Sequence, residues 1–340
     1  MSQKMIPVFD GHNDTILSLR ETGRSFFERS EAGHIDFPRA QAGGLAGGFF
    51  AVWVPSPNHE HGTDIAATGS TEQAQGAALA ALGGLIRLEA ESQGQVKIVR
   101  TAAEVRAAIE NGVFAIELHI EGAEPIDREL LALDVYYAAG VRSVGLVWSR
   151  PNIFGTGVPF LFPSSPDTGP GLSDAGKALV ARCNDLGVLV DLSHLNEAGF
   201  WDVAGISKHP LVATHSAVHD ICQSSRNLTQ KQLDAVKDSN GLVGCNFHVG
   251  FLRPDGKGDG PGTTVAAIAD HVDALVDTLG IDRVALGSDY DGATMPGDLK
   301  DVEGLPKLIA ELRARGYDDD ALLKIGYQNW LRIFAATWKK

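Results

Sequence analysis

An apolar run that stops at a polar residue, followed by a loop and a helix-like stretch, recurs eight times along this 340-residue chain. The runs cover residues 6–14, 47–55, 113–122, 143–150, 187–194, 210–216, 241–248 and 283–292. Helix-like segments lie between them, for instance 71–92, 173–187 and 263–280. Ser173 and Thr263 or Thr264 are placed to cap two of these at the start, and Gly187 and Gly280 to end them. Strands alternating with helices over this length predict an α/β fold, a (β/α)8 TIM barrel formed by residues 1–340 as one domain. In such a barrel the carboxyl ends of the strands make one face, and chemistry sits there.

The polar residues that close the runs are therefore the ones to follow. The first run ends in "DGHND", residues 10–14. Residues two apart on a strand share a face. His12 and Asp14 then project together, with Cβ atoms roughly 6–7 Å apart, close enough to converge on one cation. Glu121, His194, His215 and Asp289 close four further runs. The third run alternates cleanly. Phe114, Ile116, Leu118 and Ile120 are expected to face the helices, and Ala115, Glu117, His119 and Glu121 the barrel interior. Glu121 is nearest the mouth. Glu117, His119 and Glu124 read as polar packing or solvated loop rather than as ligands.

Three histidines and several carboxylates suit zinc or a similar ion. They exceed the needs of one catalytic metal, and a two-metal site with a shared carboxylate fits the count. Such a site makes hydroxide available near neutral pH, and a further carboxylate is then useful for moving protons. This is hydrolase chemistry without a serine or cysteine nucleophile. Composition agrees. A net charge of −14 argues against a nucleic-acid partner. No run is long enough to span a membrane, and the start lacks a signal-peptide pattern. Cys183, Cys222 and Cys245 have no CxxC spacing and read as buried thiols of a reducing, cytoplasmic compartment.

In order along the chain, "DGHND", "IEG" (120–122), "DLSH" (191–194), "THS" (214–216), "RN" (226–227) and "GSDYDG" (287–292) resemble the membrane (renal) dipeptidase family of dinuclear zinc peptidases, among the amidohydrolase-like barrels. The resemblance implies two Zn²⁺ per chain. His12 and Asp14 are expected on one ion, His194 and His215 on the other, with Glu121 bridging. It implies that Asp289 carries the proton from water to the leaving amine. It implies that Arg226 holds the free C-terminal carboxylate of a dipeptide, L,L or L,D, a role that suits a forked guanidinium. A homodimer is a further implication. Two positions depart from the family. Trp148 stands where the family usually has a substrate-binding histidine, and His248 stands where a tyrosine often follows "NF". Both are expected to contact substrate.

Other readings have distinct marks. An amidohydrolase acting on N-acyl amino acids, lactams or lactones shares the metal set. An inactive binding homologue would lack Glu121 or Asp289, and both are present. His59 and His61 fall in a loop over the mouth, residues 151–171 in a long Pro- and Gly-rich loop suited to a lid or interface. Asp291 is a rival proton carrier. "DGKGDG" (255–260) has a calcium-loop look, but position 266 is alanine where the loop needs glutamate, so a surface turn is expected.

Overall fold

Short, largely apolar β-rich runs give each strand two faces to bury, and a closed parallel sheet covered by helices satisfies both. The computed structural model describes residues 5–55 and 70–339; His59 and His61 lie outside them. The strands are β1 Val8–Asn13, β2 Leu45–Trp53, β3 Val96–Ile98, β4 Phe114–Glu121, β5 Val141–Gly145, β6 Leu189–Asp191, β7 Val212–Ser216, β8 Leu242–Cys245 and β9 Val284–Leu286. They pair in parallel in the order β1-β2-β4-β5-β6-β7-β8-β9. This is the expected eight-stranded barrel. The unanticipated strand β3 pairs with the first half of β4, and β5 takes over from Leu118 onward. Three residues are too few for a periodicity to reveal.

The barrel closes where β9 leads back to β1. Asp14 N donates to Tyr290 O at 2.8 Å, and Asp289 N donates to His12 O at 3.0 Å. Asp10 finishes the seam. Its carboxylate accepts the Ser288 N–H at 2.6 Å and the Ser288 hydroxyl at 2.7 Å. Of the two acids in "DGHND", one is thus a structural clasp.

The helices start and stop for local reasons. Ser173 Oγ accepts from Gly176 N at 3.1 Å, and Gly187 ends that helix in the left-handed region at φ 72°. Thr264 precedes the helix Val265–Leu279 without a side-chain cap; Asp298 Oδ1 accepts from Val265 N instead, at 2.9 Å. Phe114, Ile116, Leu118 and Ile120 belong to the layer packed under the helices, as the alternation predicts. The barrel interior holds a second cluster. Phe9, Phe49, Ala115, Leu189, Val212, Leu242 and Ala285 surround Trp330 and Phe334 of the final helix, Asn329–Thr337. Gly11 permits this packing: a Cβ there would meet Thr214 O at 2.3 Å and the Trp330 ring at 2.7 Å. Among the described residues no helix is long and apolar enough to cross a membrane. Cys183, Cys222 and Cys245 are free thiols and buried.

Candidate metal centre and its cleft

Above the aromatic floor, the strand ends bring the polar residues together. His12 lies in β1 and Asp14 just beyond it, at the N-cap of the helix Thr15–Thr22. Glu121 ends β4 and His215 lies in β7; His194 and Asp289 sit three residues past β6 and β9. All but Asp289, which is half-buried, are buried. His12 Nε2 is 3.5 Å from Asp14 and 3.6 Å from Glu121 Oε2. His194 Nε2 is 2.9 Å and His215 Nε2 3.6 Å from Glu121 Oε1. Two donor triads result, His12–Asp14–Glu121 and Glu121–His194–His215, each with its ligand atoms within 4.8 Å of one another. Glu121 belongs to both. His12, His215 and Asp289 meet the same limit, so Asp289 also stands within ligand reach.

Burial sets the electrostatics. It lowers the pKa of His194 and His215 well below the usual imidazole value, and the charges of Arg226 and His12 lower it further. Both rings are neutral, as a metal ligand must be. Burial raises Asp14, and it raises Glu121 to about 8, with Asp14 and Asp289 adding to the effect on Glu121. His12 goes the other way. Burial opposes its charge, yet Glu121, Asp14 and Asp289 together lift it to about 10. Carboxylates crowded in low dielectric beside neutral imidazoles call for a cation. The donor set fits zinc.

Two hydroxyls orient the second triad. Ser149 Oγ lies 2.8 Å from His194 Nδ1, and Thr214 Oγ1 2.8 Å from His215 Nδ1. Gly292 keeps space beside the carboxylates, since a Cβ there would lie 2.1 Å from Asp14 Oδ2 and 2.9 Å from Asp289 Oδ1. His194 and Asp289 both hold left-handed backbone, at φ 67° and 64°. This is an uncommon state for non-glycine residues, and it turns each side chain over the mouth.

A cleft of about 250 Å³ opens over Asp14, Glu121, His194 and Asp289. Trp148 and His248 line it. Trp148 meets Trp53 edge-on at 5.3 Å and Phe160 at 5.6 Å. Arg150 props this wall, 5.3 Å from both indole rings, with Nε on Glu124 at 2.9 Å and Nη2 on Val54 O at 2.6 Å. Trp53, Phe160 and Phe251 are cleft residues that sequence reasoning missed; it also missed the buried Asn246, whose amide donates to Asp289 Oδ2 at 3.0 Å. Burial keeps His248 neutral, and its Nδ1 lies 3.4 Å from the Thr294 carbonyl. A carbonyl only accepts, so Nδ1 carries the proton and Nε2 is an acceptor.

Arg226 stands behind the cleft wall. Its Nη1 donates to Ser216 Oγ at 2.8 Å and Nη2 to His215 O at 2.9 Å, while Nε has no hydrogen-bond partner among the described residues. Asp291 lines the cleft, but its oxygens accept from Thr15 at 2.8 Å, His34 N at 2.6 Å and Arg24 at 3.3 Å. Glu117 and His119 lie deeper, joined through Ser143, as interior packing. Within 255–260, Asp255 pairs with Arg253 in a surface turn.

The model of one family, the membrane dipeptidases of peptidase family M19, matches residues 2–339. A Klebsiella pneumoniae protein described as an uncharacterized protein in the pqqA 5' region is 48% identical over 256 residues, 75% of this chain and 94% of that one. The crystal structure of dipeptidase AC, a metallopeptidase of family M19, superposes with a TM-score of 0.95 at 48% identity, covering 98% of this chain and 99% of that one. A Rhodobacter sphaeroides metallopeptidase liganded with a phosphinate mimic of L-Ala-D-Ala gives 0.94 at 46%, covering 98% and 100%. With residues 2–339 matched by the family model, the chain belongs to the membrane dipeptidase family, peptidase family M19.

Proposed function

We propose that the cleft hydrolyses dipeptides, L,L or L,D, with two zinc ions held by His12, Asp14, Glu121, His194 and His215. That the chain is a hydrolase acting on dipeptides follows from its family. The observation that carries the metal assignment is the overlap of two donor triads at Glu121, on the cleft floor. Bound zinc lowers the pKa of water and polarises a carbonyl group. Asp289 takes the proton of the attacking water and delivers it to the leaving amine. Among the described residues its one side-chain hydrogen bond is from Asn246, whereas Asp291 is committed to Arg24, Thr15 and His34. Arg226 supplies the buried positive charge for the substrate carboxylate. Its unpartnered Nε supports this, as does its electrostatic coupling to Asp289 and Glu121. Trp148, with Trp53 and Phe160, walls in a substrate side chain. His248 offers Nε2 to a substrate N–H rather than stabilising an oxyanion.

Cytoplasmic residence and a homodimer belong to the same proposal. Three buried free thiols suit a reducing compartment. Phe160, Leu161 and Phe162 are 41%, 48% and 41% exposed, an apolar stretch suited to a partner subunit.

The test is a screen of L,L-, L,D- and D-containing dipeptides with zinc-loaded protein, beside elemental analysis. The expected outcome is cleavage of free-acid dipeptides, with about two zinc per chain. Full activity in protein stripped by a strong chelator would overturn the metal assignment. No cleavage of any dipeptide would overturn the reaction.

A further inference from the structure

Beneath the second triad lies a buried carboxylate that the proposed chemistry does not use. Asp191, the last residue of β6, is 1% exposed. Its Oδ1 accepts two backbone N–H groups, from Ser193 at 3.0 Å and Thr214 at 2.8 Å. Its Oδ2 receives the Thr214 hydroxyl at 2.6 Å. The same hydroxyl oxygen lies 2.8 Å from His215 Nδ1. A threonine hydroxyl has one proton to give, and an ionised carboxylate can only accept. That proton therefore goes to Asp191, and the Thr214 oxygen must accept from His215 Nδ1–H. A neutral imidazole protonated on Nδ1 has its lone pair on Nε2. Nε2 is the atom that faces Glu121 and His194.

We propose that Asp191, acting through Thr214, is a positioning residue that fixes the tautomer of His215 and so makes it a metal ligand. The inference rests on the proposed metal assignment for its consequence, but not for the tautomer itself. His194 provides an internal contrast. Its Nδ1 meets Ser149, and among the described residues no carboxylate receives the Ser149 hydroxyl. His119 Nε2, at 3.7 Å from Asp191 Oδ2, is beyond hydrogen-bond reach.

The arrangement makes one substitution unusually informative. In Asp191→Asn, the two backbone N–H groups hold the amide oxygen in the Oδ1 position. The amide nitrogen must then take the Oδ2 position and donate to Thr214. The Thr214 proton is turned toward His215 Nδ1, and His215 is left with hydrogen on Nε2, unable to bind metal there. Exchange of one heavy atom, in a residue that hydrogen-bonds none of the proposed ligand side chains, reverses a tautomer.

The test uses the full-length chain labelled with ¹⁵N-histidine and stripped of metal, with His215 assigned by comparison with His215→Gln. Wild type is expected to show His215 protonated on Nδ1 and Asp191→Asn on Nε2. Zinc affinity, read by competition with a chromophoric chelator, should fall roughly ten- to hundredfold in Asp191→Asn and in Thr214→Val. Thr214→Ser keeps the hydroxyl and should bind like wild type. In the Thr214→Val background, Asp191→Asn should change zinc affinity little further. Wild-type tautomer and zinc affinity in Asp191→Asn would overturn the proposal. If that variant does not fold, equal zinc affinities of Thr214→Val and Thr214→Ser would overturn it instead. Failure to cleave dipeptides with these outcomes intact would sink the dipeptidase reading and leave this one standing.

Discussion

Deep in the barrel Phe9, Phe49, Phe334 and Trp330 pack ring against ring, and at the carboxyl ends of the same strands sit His12, Asp14, Glu121 and His215. The floor is largely apolar, and its ring contacts favour folding; the buried Trp330 Nε1, without a hydrogen-bond partner among the described residues, is a local cost. The mouth crowds buried carboxylates and holds His194 and Asp289 at left-handed φ. Those features oppose folding and serve chemistry. The contrast teaches that rate and stability are divided by height along the barrel axis. A change at the mouth should cost activity with little loss of stability, and a change in the floor the reverse.

The sharpest way to break this division is Asp289→Asn. It keeps size and the left-handed backbone while removing the base. Turnover should drop roughly 10²–10⁴-fold, with zinc content and melting temperature preserved. Near-normal kcat would move the proton-transfer role to Asp291. The counterpart is Trp330→Ala, which empties the floor. Urea unfolding should show a loss of about 3–5 kcal/mol, while kcat of the folded, metal-loaded fraction stays within a few-fold of wild type. A collapse of kcat in fully folded Trp330→Ala would mean that floor and mouth are not separable.

Arg226 tests the boundary, because its guanidinium holds both Ser216 and the His215 carbonyl. Lost charge-assisted pairing of about 1.5–3 kcal/mol predicts that Arg226→Met lowers kcat/KM for free-acid dipeptides by about tenfold or more. The preference for acid over C-terminal amide should shrink by the same factor. An unchanged acid-to-amide ratio, with a lower melting temperature, would make Arg226 a structural brace only.

The smallest effect is expected from Glu117, between floor and mouth. Burial raises its pKa to about 8, against the Ser143 hydrogen bond that lowers it. A carboxyl raised above its unfolded value of 4.5 stabilises the fold fully below that value. The contribution is lost as pH rises through the folded pKa. Denaturant midpoints from pH 4.5 to 8 should therefore decline less steeply in Glu117→Gln than in wild type. Parallel profiles would show that Glu117 does not titrate in that window.

The cluster of His, Asp and Glu was legible in the sequence because a barrel brings all its strand ends to one face. Such residues at the ends of five of the eight runs need no further information to be gathered. The supports were not legible. Asp10 meets Ser288 and Asp191 meets Thr214 through lateral register between strands far apart in the chain. No local periodicity records register. The aromatic wall escaped for a related reason: Phe160 and Phe251 come from segments without a regular pattern, where only the folded path decides what faces the cleft. Arg226 was found by its motif, but its place behind the wall depends on which donors the backbone claims first.

The seam between Asp10 and Ser288, and the plug formed by Trp330, also set the order in which the molecule can be made. During synthesis β1 is made first, and its closing partner follows 278 residues later. Until then β1 has an unpaired edge, and the floor beneath it is open. Contacts this distant in sequence slow folding. Synthesis proceeds over seconds, so the candidate metal ligands come together only after β9 has been made. A metal ion then meets a formed pocket rather than templating one, and a chain truncated before Trp330 should stall as an open, aggregation-prone sheet rather than yield a weakened enzyme.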